Sequence, residues 1–444
     1  MKVTHVALRP TEAAAAQGRP ALTPELLAAS GARYSRNNEG LASILAKIDP
    51  ANLDQSVDGI FKMLDYGHQS IADMAPVAMF MDDLSLWLAY HVWSLCPVAG
   101  GQESSTRYLG LSADSLLAPD ELGIADADQA EWRALMADCF AAYRQCLAIW
   151  DALAVSDPGV MRIPREVLAD QSAKGQKKLA RMRRNFAFDR ARYYLPVAAK
   201  TNVMLVMSAR AWVALCQNLL AHPLPEPNQL GRLIVGELGL CAPRLSRHAV
   251  ARDYTAGGIA ESFRRAQRLA QTLPGAYLQT AGRPHPANAR LEIFPPRDAD
   301  GDAIAAALAR HENRYAWLGE DLQRTAVRFG WEAVALAEIR DLNRHRTGAK
   351  YCPLTPRGFY GAQDQIPAAA DPALTLNLST GLRATVSGLE KLKAGDPAYI
   401  YWTVLGTQYP FEHTTTADKF IYEAELRTGL GAHYKYAEHL RDTL

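Results

Sequence analysis

Two short stretches of this 444-residue chain concentrate residue types that do chemistry. The first, GQESSTRYLG at 101–110, sets Glu103, Ser105, Arg107 and Tyr108 close together, with Ser104 and Thr106 between them. A guanidinium gives a bidentate fork for phosphate, and neighbouring hydroxyls add neutral donors, so a nucleoside monophosphate is a natural ligand. Tyr108 can stack on or bond a base, and Glu103 can orient a sugar hydroxyl or hold the arginine. A surface loop with a helix cap and a local ion pair would use the same residues. The second stretch, DLNRHRTGAKY at 341–351, places Arg344, His345 and Arg346 at the end of an apolar run, followed by Thr347 and Gly348 as helix stop signals. Two permanent cations flank a titratable imidazole there. The plain alternative is that these cations answer the negative end of a helix.

Both stretches need an apolar element to position them, and both have one. LSLWLAYHVWSLCPVAGGQESSTRY and WEAVALAEIRDLNRHRTGAKY each run from an apolar helix into a glycine-containing polar loop. Three- and four-residue periodicity predicts helices over Leu84–Leu95, Ala130–Ala154, Val203–Leu220, Ala303–His311, Trp331–Asn343 and Ala417–Leu426. Strands are expected at Val3–Leu8, Met79–Met81, Arg290–Phe294 and Leu374–Leu378, which makes an α+β fold rich in helix. Proline and glycine punctuation at 222–228 and 273–289 interrupts the pattern, and Arg290 restarts it with a strand, a proline-containing turn and a helix, as at residue 1. An internal duplication is therefore expected, with repeats 1–285 and 286–444.

Composition narrows the classes. Lys and Arg number 48 against 47 Asp and Glu, so the net charge of +1 gives no reason to expect a nucleic-acid polymer. The start, MKVTHVALRPTEAAAAQG, lacks an apolar core behind a basic tip, so no secretory signal is read and a cytoplasmic location is expected. Ser208, Arg210 and Gln217 interrupt the most apolar helical window, so no membrane span is expected. Six scattered cysteines lack any C-x-x-C pair, and His413, His433 and His439 are too widely spaced for a helical metal pair, so no metal is expected. The basic run 174–185 reads as a solvated helix face or a phosphate-attracting patch. Neither a Walker loop nor a G-x-G-x-x-G unit is present.

With these residues in view, the sequence resembles the flavin-dependent thymidylate synthases, whose signature is R-H-R-x-x-S-x-N-E-x-S-x-R-Y. The first half carries the tail of that pattern as Glu103, Ser105, Arg107 and Tyr108 but holds Leu95, Cys96 and Pro97 at the triplet. The second half carries the triplet as Arg344, His345 and Arg346 but holds Cys352, Leu354, Pro356 and Arg357 at the tail. The upstream G-H-x-S-x-x-E-H pattern appears as Gly67, His68, Ser70 and Asp73, with Met74 for the last histidine, and A-R-x-S as Ala32, Arg33 and Ser35. ARYYLPVAAKTNVMLVMSAR is similar to a further family segment and carries over Arg192 and Ser208; the later family arginine falls on Leu219 in the first half and is present as Arg427 in the second.

The resemblance implies two tandem synthase-like domains, helix-rich with small antiparallel sheets. It implies FAD held by Ser35, His68, Ser70, Asp73, Ser208, Arg344, His345 and Arg346, the last three lying at the reacting centre. It implies a uracil nucleotide held by Glu103, Ser105, Arg107, Tyr108, Arg192 and Arg427. Methylenetetrahydrofolate and NADPH follow as co-substrates of a reductive C5 methylation. Because the family's enzymes are tetramers whose sites draw on several subunits, a tandem chain can pair as a homodimer that imitates the tetramer, each half supplying what the other lost. Cys216 resembles no flanked nucleophile and reads as a buried core thiol. Two alternatives stay open: a relative acting on another pyrimidine nucleotide, and a degenerate scaffold that binds nucleotide or flavin without catalysis.

Overall fold

The structure, a computed structural model, describes residues 1–35, 40–49, 52–61, 70–96, 98–107, 109–163, 165–273, 288–429 and 432–444. The chain divides into two compact units: Met1–Ser104 with Lys200–Glu261, and Ser105–Ala199 with Ser262–Leu444. The division expected near residue 285 falls among residues outside this description, and the units do not follow it. The reason is packing. Helices Gln129–Ser156 and Ala173–Ala191 belong to the first half of the sequence, yet the former packs on Ala373–Ala394 of the second.

The first unit holds four antiparallel strands, β1 (Lys2–Val6), β2 (Pro76–Ser85), β3 (Gly100–Glu103) and β4 (Lys200–Ser208), in the order β1-β2-β4-β3. β2 is bulged between Met81 and Leu84, with Asp83 in the left-handed region at φ 61°. It then runs straight into helix Leu86–Leu95. Ser85 starts that helix: its hydroxyl accepts from Leu88 N at 2.8 Å, while buried Glu226 accepts from Ser85 N and Oγ at 2.7 and 2.8 Å. β4 likewise runs into helix Ala209–Ala221, capped by the Ser208 hydroxyl.

The second unit holds β5 (Arg290–Phe294), β6 (Ala326–Ala335), β7 (Ala349–Tyr351), β8 (Gly358–Phe359) and β9 (Thr407–Thr416), in the order β5-β6-β9-β7, with β8 also on β9. Here too the second strand is bulged, between Trp331 and Val334, before helix Leu336–Leu342, and the last strand enters helix Ala417–Thr428. The two sheets thus share strand order, bulge position and strand-to-helix transitions. Their registers also correspond. Pro76 lies opposite Ser208 as Ala326 lies opposite Thr416, and Gly100 lies opposite Val206 as Ala349 lies opposite Thr414. Counting from these pairs, Glu103 falls where Cys352 does and Leu219 where Arg427 does.

Three expected elements change type. Residues 203–208 and 331–335 are strand, not helix, because 203–207 is an unbroken apolar run and 331–335 is broken only by Glu332, and an apolar run does not distinguish a covered strand from a buried helix. Leu374–Leu378 is helix, not strand. Its short alternation opens the 22-residue helix Ala373–Ala394, whose buried Leu374, Leu378, Gly381, Thr385, Leu389 and Leu392 recur at helical steps until Gly395 ends it at φ +85°. In Ala173–Ala191 the side chains of Lys174, Lys177, Lys178, Arg181 and Arg184 are exposed, giving the solvated face. Burial pushes the Cys216 thiol up to about 12, as befits a core residue. Among the described residues no helix is long and apolar enough to cross a membrane.

Candidate functional site

Helix Leu336–Leu342 is apolar except for Glu338, Arg340 and Asp341, and it carries these charges into the interior of the second unit. Buried charges need partners. Asp341 Oδ2 accepts from Arg192 Nη1 and Nη2 at 3.4 and 3.3 Å, and Arg192 Nη2 also donates to the Ala337 carbonyl at 3.4 Å. Arg427 Nη2 donates to the Asp341 carbonyl at 2.6 Å, and its Nε donates to His345 Nε2 at 2.7 Å. Nearby, Arg107 makes a two-pronged bond to Asp189, with Nε and Nη2 at 2.6 and 2.8 Å from its oxygens. Burial alone would raise the Asp341 carboxyl, but the charges of Arg192, Arg344, Arg427 and Arg107 hold it below the usual carboxylate range.

Four guanidiniums, two from each half of the sequence, therefore converge on one carboxylate. Against them stand Asp341 and Asp189, leaving two positive charges over. Glu338 offsets these only in part, since burial raises it to about 7 despite Arg192 and Tyr193. A surplus of that size suits a phosphate monoester, which carries about −1.5 to −2 at pH 7.

The triplet is held by its own network. His345 is pushed down to about 4 by burial, against the pull of Glu423. It is a neutral ring at pH 7, not the charge-switching imidazole its position between two arginines suggested, and accepting from Arg427 at Nε2 puts its proton on Nδ1. Lys350 Nζ donates to the His345 carbonyl, and His413 Nε2 donates to the Thr347 carbonyl at 2.7 Å while its Nδ1 lies 3.1 Å from buried Glu423. Gly348 sits at φ +67°, and a Cβ there would lie 2.0 Å from the Thr414 carbonyl, so the turn admits only glycine. Arg346 is exposed, and partial burial together with the neighbouring Arg344 charge lowers its guanidinium below the ordinary range.

Of the other expected site residues, Ser105 Oγ accepts from Arg107 N at 3.2 Å and shapes the turn that presents the arginine. In the first unit Asp73 and Ser208 come together: Asp73 accepts from Ser208 Oγ at 3.3 Å and from Arg210 Nη1 at 2.8 Å. Ser70 opens the short helix Ser70–Asp73, Ser35 Oγ donates to the Ala32 carbonyl at 2.9 Å, and Glu103 ends β3 as a buried carboxylate. His68 and Tyr108 lie outside the described residues. Asp189, Glu338, Asp341 and Glu423 were not anticipated. The signal for two of them was present: Glu338 and Asp341 are acids three apart on one face of a helix whose only other charge is Arg340, a pair that demands buried cations.

No curated protein matches the chain. Among solved structures, the UMP/dUMP methylase PolB from Streptomyces cacaoi bound with 5-Br dUMP is similar at 14% identity and a TM-score of 0.33, covering 56% of this chain and 93% of that one. Residues 21–243 match the family described as thymidylate synthase complementing protein, a span that includes Arg107 and Arg192 and ends before Arg344 and Arg427. Matched over half its length, the chain belongs to the thymidylate synthase complementing protein family.

Proposed function

We propose that the protein methylates a uracil nucleotide at C5 with flavin and methylenetetrahydrofolate, at a site that its two sequence halves build jointly. The observation that carries this reading is the convergence of Arg107 and Arg192 with Arg344 and Arg427 on Asp341, since a member of this family needs a cationic seat for a nucleotide phosphate. Arg107 and Arg192 are the phosphate donors, with Ser105 in the presenting turn. Arg427 positions His345 and shares the nucleotide's charge. The solved methylase bound with 5-Br dUMP is in keeping with this substrate class.

The donor set also fits FAD. Arg344 and Arg346 repel each other across His345, so a negative charge placed beside them is stabilised. Ser208, Asp73, Ser35, Ser70 and His68 would hold the remainder. When bound, FAD supplies the reducing equivalents, renewed from NADPH, that turn a transferred methylene into methyl. What this chain's residues do is fix the nucleotide by its phosphate, keep a neutral imidazole beside two guanidiniums, and balance the charge of the site through Asp341. The tandem halves are in keeping with a homodimer that imitates the family's tetramer.

The test is a visible absorption spectrum of the protein with added FAD, followed by titration with dUMP and UMP. A flavin band perturbed by one nucleotide, lost in R107A and altered in R344A, is expected. No flavin binding, with nucleotide affinity unchanged in both variants, would overturn the reading in favour of a scaffold.

A further inference from the structure

Beside the arginine cluster, Glu338 is fully buried and its Oε2 has no hydrogen-bond partner among the described residues. Its other oxygen begins a chain of hydroxyls. Tyr193 OH donates to Glu338 Oε1 at 2.6 Å, and the Tyr193 hydroxyl is hydrogen-bonded to that of Tyr434. Tyr360 OH lies 3.2 Å from Tyr434 OH and donates to Asp364 Oδ1 at 2.7 Å. Asp364, whose other oxygen accepts from Lys435 Nζ at 2.8 Å, is exposed. A buried carboxylate at the site is thus linked to the surface through three tyrosines drawn from three separate segments.

We propose that Glu338, Tyr193, Tyr434 and Tyr360 form a proton relay that carries the C5 proton of the uracil ring from the arginine cluster to Asp364. The proposal rests on the reading given above. Replacing the C5 hydrogen by a one-carbon unit breaks the C5–H bond; its electron pair stays with the ring and the proton must leave. Glu338 Oε2, having no other partner, takes it. The carboxyl then turns to present that O–H to the Tyr193 oxygen while the Tyr193 O–H, which donates to Glu338 beforehand, turns to Tyr434; each hydroxyl passes its own proton outward and receives the next, since a phenol both donates and accepts, and Asp364 exchanges with water.

The groups facing Glu338 suit it to this task. Arg192 Nη2 lies 3.9 Å away and favours the carboxylate, as do the Tyr193 hydroxyl and the Lys435 charge, whereas burial and Asp341 favour the acid. His433 Nδ1, 4.0 Å away, belongs to a ring that burial and Arg192 keep neutral, so it does not compete for the proton. These opposing influences leave Glu338 at about 7, able to bind and release a proton near neutrality.

The experiment uses dUMP and UMP tritiated at C5 with the flavin- and folate-loaded full-length protein, measuring tritium release and, separately, nucleotide affinity. Y360F, remote from the nucleotide seat, is expected to keep its affinity but slow tritium release roughly tenfold or more, with imidazole buffer restoring the rate. E338Q is expected to slow release further, without rescue. The rate of tritium release should rise with pH through the neutral range in wild type, a dependence that E338Q flattens, because only the ionised Glu338 carboxylate can accept the C5 proton. Wild-type release in Y360F, or slowed release that imidazole does not restore, overturns the relay while leaving the methylation reading intact. Failure of the wild type to bind either nucleotide overturns that reading, and the relay with it.

Discussion

Replacing Asp341 by asparagine removes the carboxylate on which both halves of the chain converge. The Arg192 and Asp341 side chains are 2% and 13% exposed and lie 3.3 Å apart. At that distance and an effective dielectric of about 20 their attraction is about 5 kcal/mol. Deleting one member of such a buried pair costs about 3–5 kcal/mol, mostly because the survivor stays buried without its counter-charge. Asparagine keeps one acceptor oxygen, and Glu338 remains at 3.9 Å to take over part of the pairing, so the lower end, about 3 kcal/mol, is expected. That corresponds to a fall in Tm of roughly 3–5 °C for a chain of this size, read by calorimetry without ligand. Nucleotide should offset the loss. A dianionic phosphate restores negative charge to the cluster, so the Tm rise on adding dUMP or UMP should be larger in D341N than in wild type; a ligand at a hundredfold its Kd stabilises by about 2.7 kcal/mol. A D341N protein as stable as wild type would refute the convergence. A smaller ligand-induced rise in the variant would refute the view that phosphate and Asp341 balance the same guanidiniums.

Glu338 predicts a pH dependence. Its folded value of about 7 stands above the ordinary 4.5, so between these the native state holds more protons than the unfolded chain and its contribution to stability falls as pH rises. The stability of E338Q relative to wild type, from denaturant titrations at pH 5 and pH 8, should therefore be greater at pH 8; an equal difference at both would show that Glu338 titrates normally. His345 works the other way, because a value lowered to about 4 means that stability is lost as pH falls from about 6.5 towards 4. G348A should cost at least about 1–2 kcal/mol from the left-handed backbone alone, with a further clash against the Thr414 carbonyl, and should weaken flavin binding by moving Arg346; native flavin affinity in a folded G348A would show that the turn does not set the triplet. L219R, which restores to the first half the arginine it lacks, buries an uncompensated charge at a fully buried position and should destabilise by about 3–5 kcal/mol; wild-type stability would mean that a counter-charge is already there.

The motif residues were legible in the sequence because their chemistry is carried by residue type: a guanidinium between hydroxyls, and two arginines around a histidine. What holds them was not. Asp189 and Asp341 are ordinary acids until the fold brings Arg107 and Arg192 to them, and the distance in sequence from Arg192 to Asp341 leaves no local trace. The ionisation of His345 was misjudged for the same reason, since burial is a tertiary property that outweighs the nearby carboxylate. Of the fold, long periodic helices such as Gln129–Ser156 and Ala417–Thr428 were readable, whereas β4 and β6 were not, because their apolar runs at 203–207 and 331–335 lack the polar alternation that identifies a strand. The compact units were not readable either, being set by helix packing that ignores chain order.

The register correspondence between the two sheets argues for how many sites a chain offers. Counted from Ser208 and Thr416, Pro196 is the equivalent of Val404, and these two residues face each other in the second unit. Val197 N donates to the Thr403 carbonyl at 3.1 Å and Leu405 N to the Leu195 carbonyl at 2.8 Å, the same bond taken in both directions. Contact between a residue and its own equivalent is the mark of a two-fold relation, which the second unit carries locally around Pro196 and Val404. By the same register counting, the positions equivalent to the charged residues of the cluster are Ile400 for Arg192, Leu88 for Glu338, His91 for Asp341, Ser94 for Arg344 and Leu219 for Arg427. Burial holds His91 at about 4, hence neutral at pH 7. Not one of the five replacements carries a charge at neutral pH, so these positions do not repeat the cationic cluster. Equilibrium titration should accordingly saturate at one nucleotide per chain, and two per chain would require a cationic seat that the second set of residues does not possess.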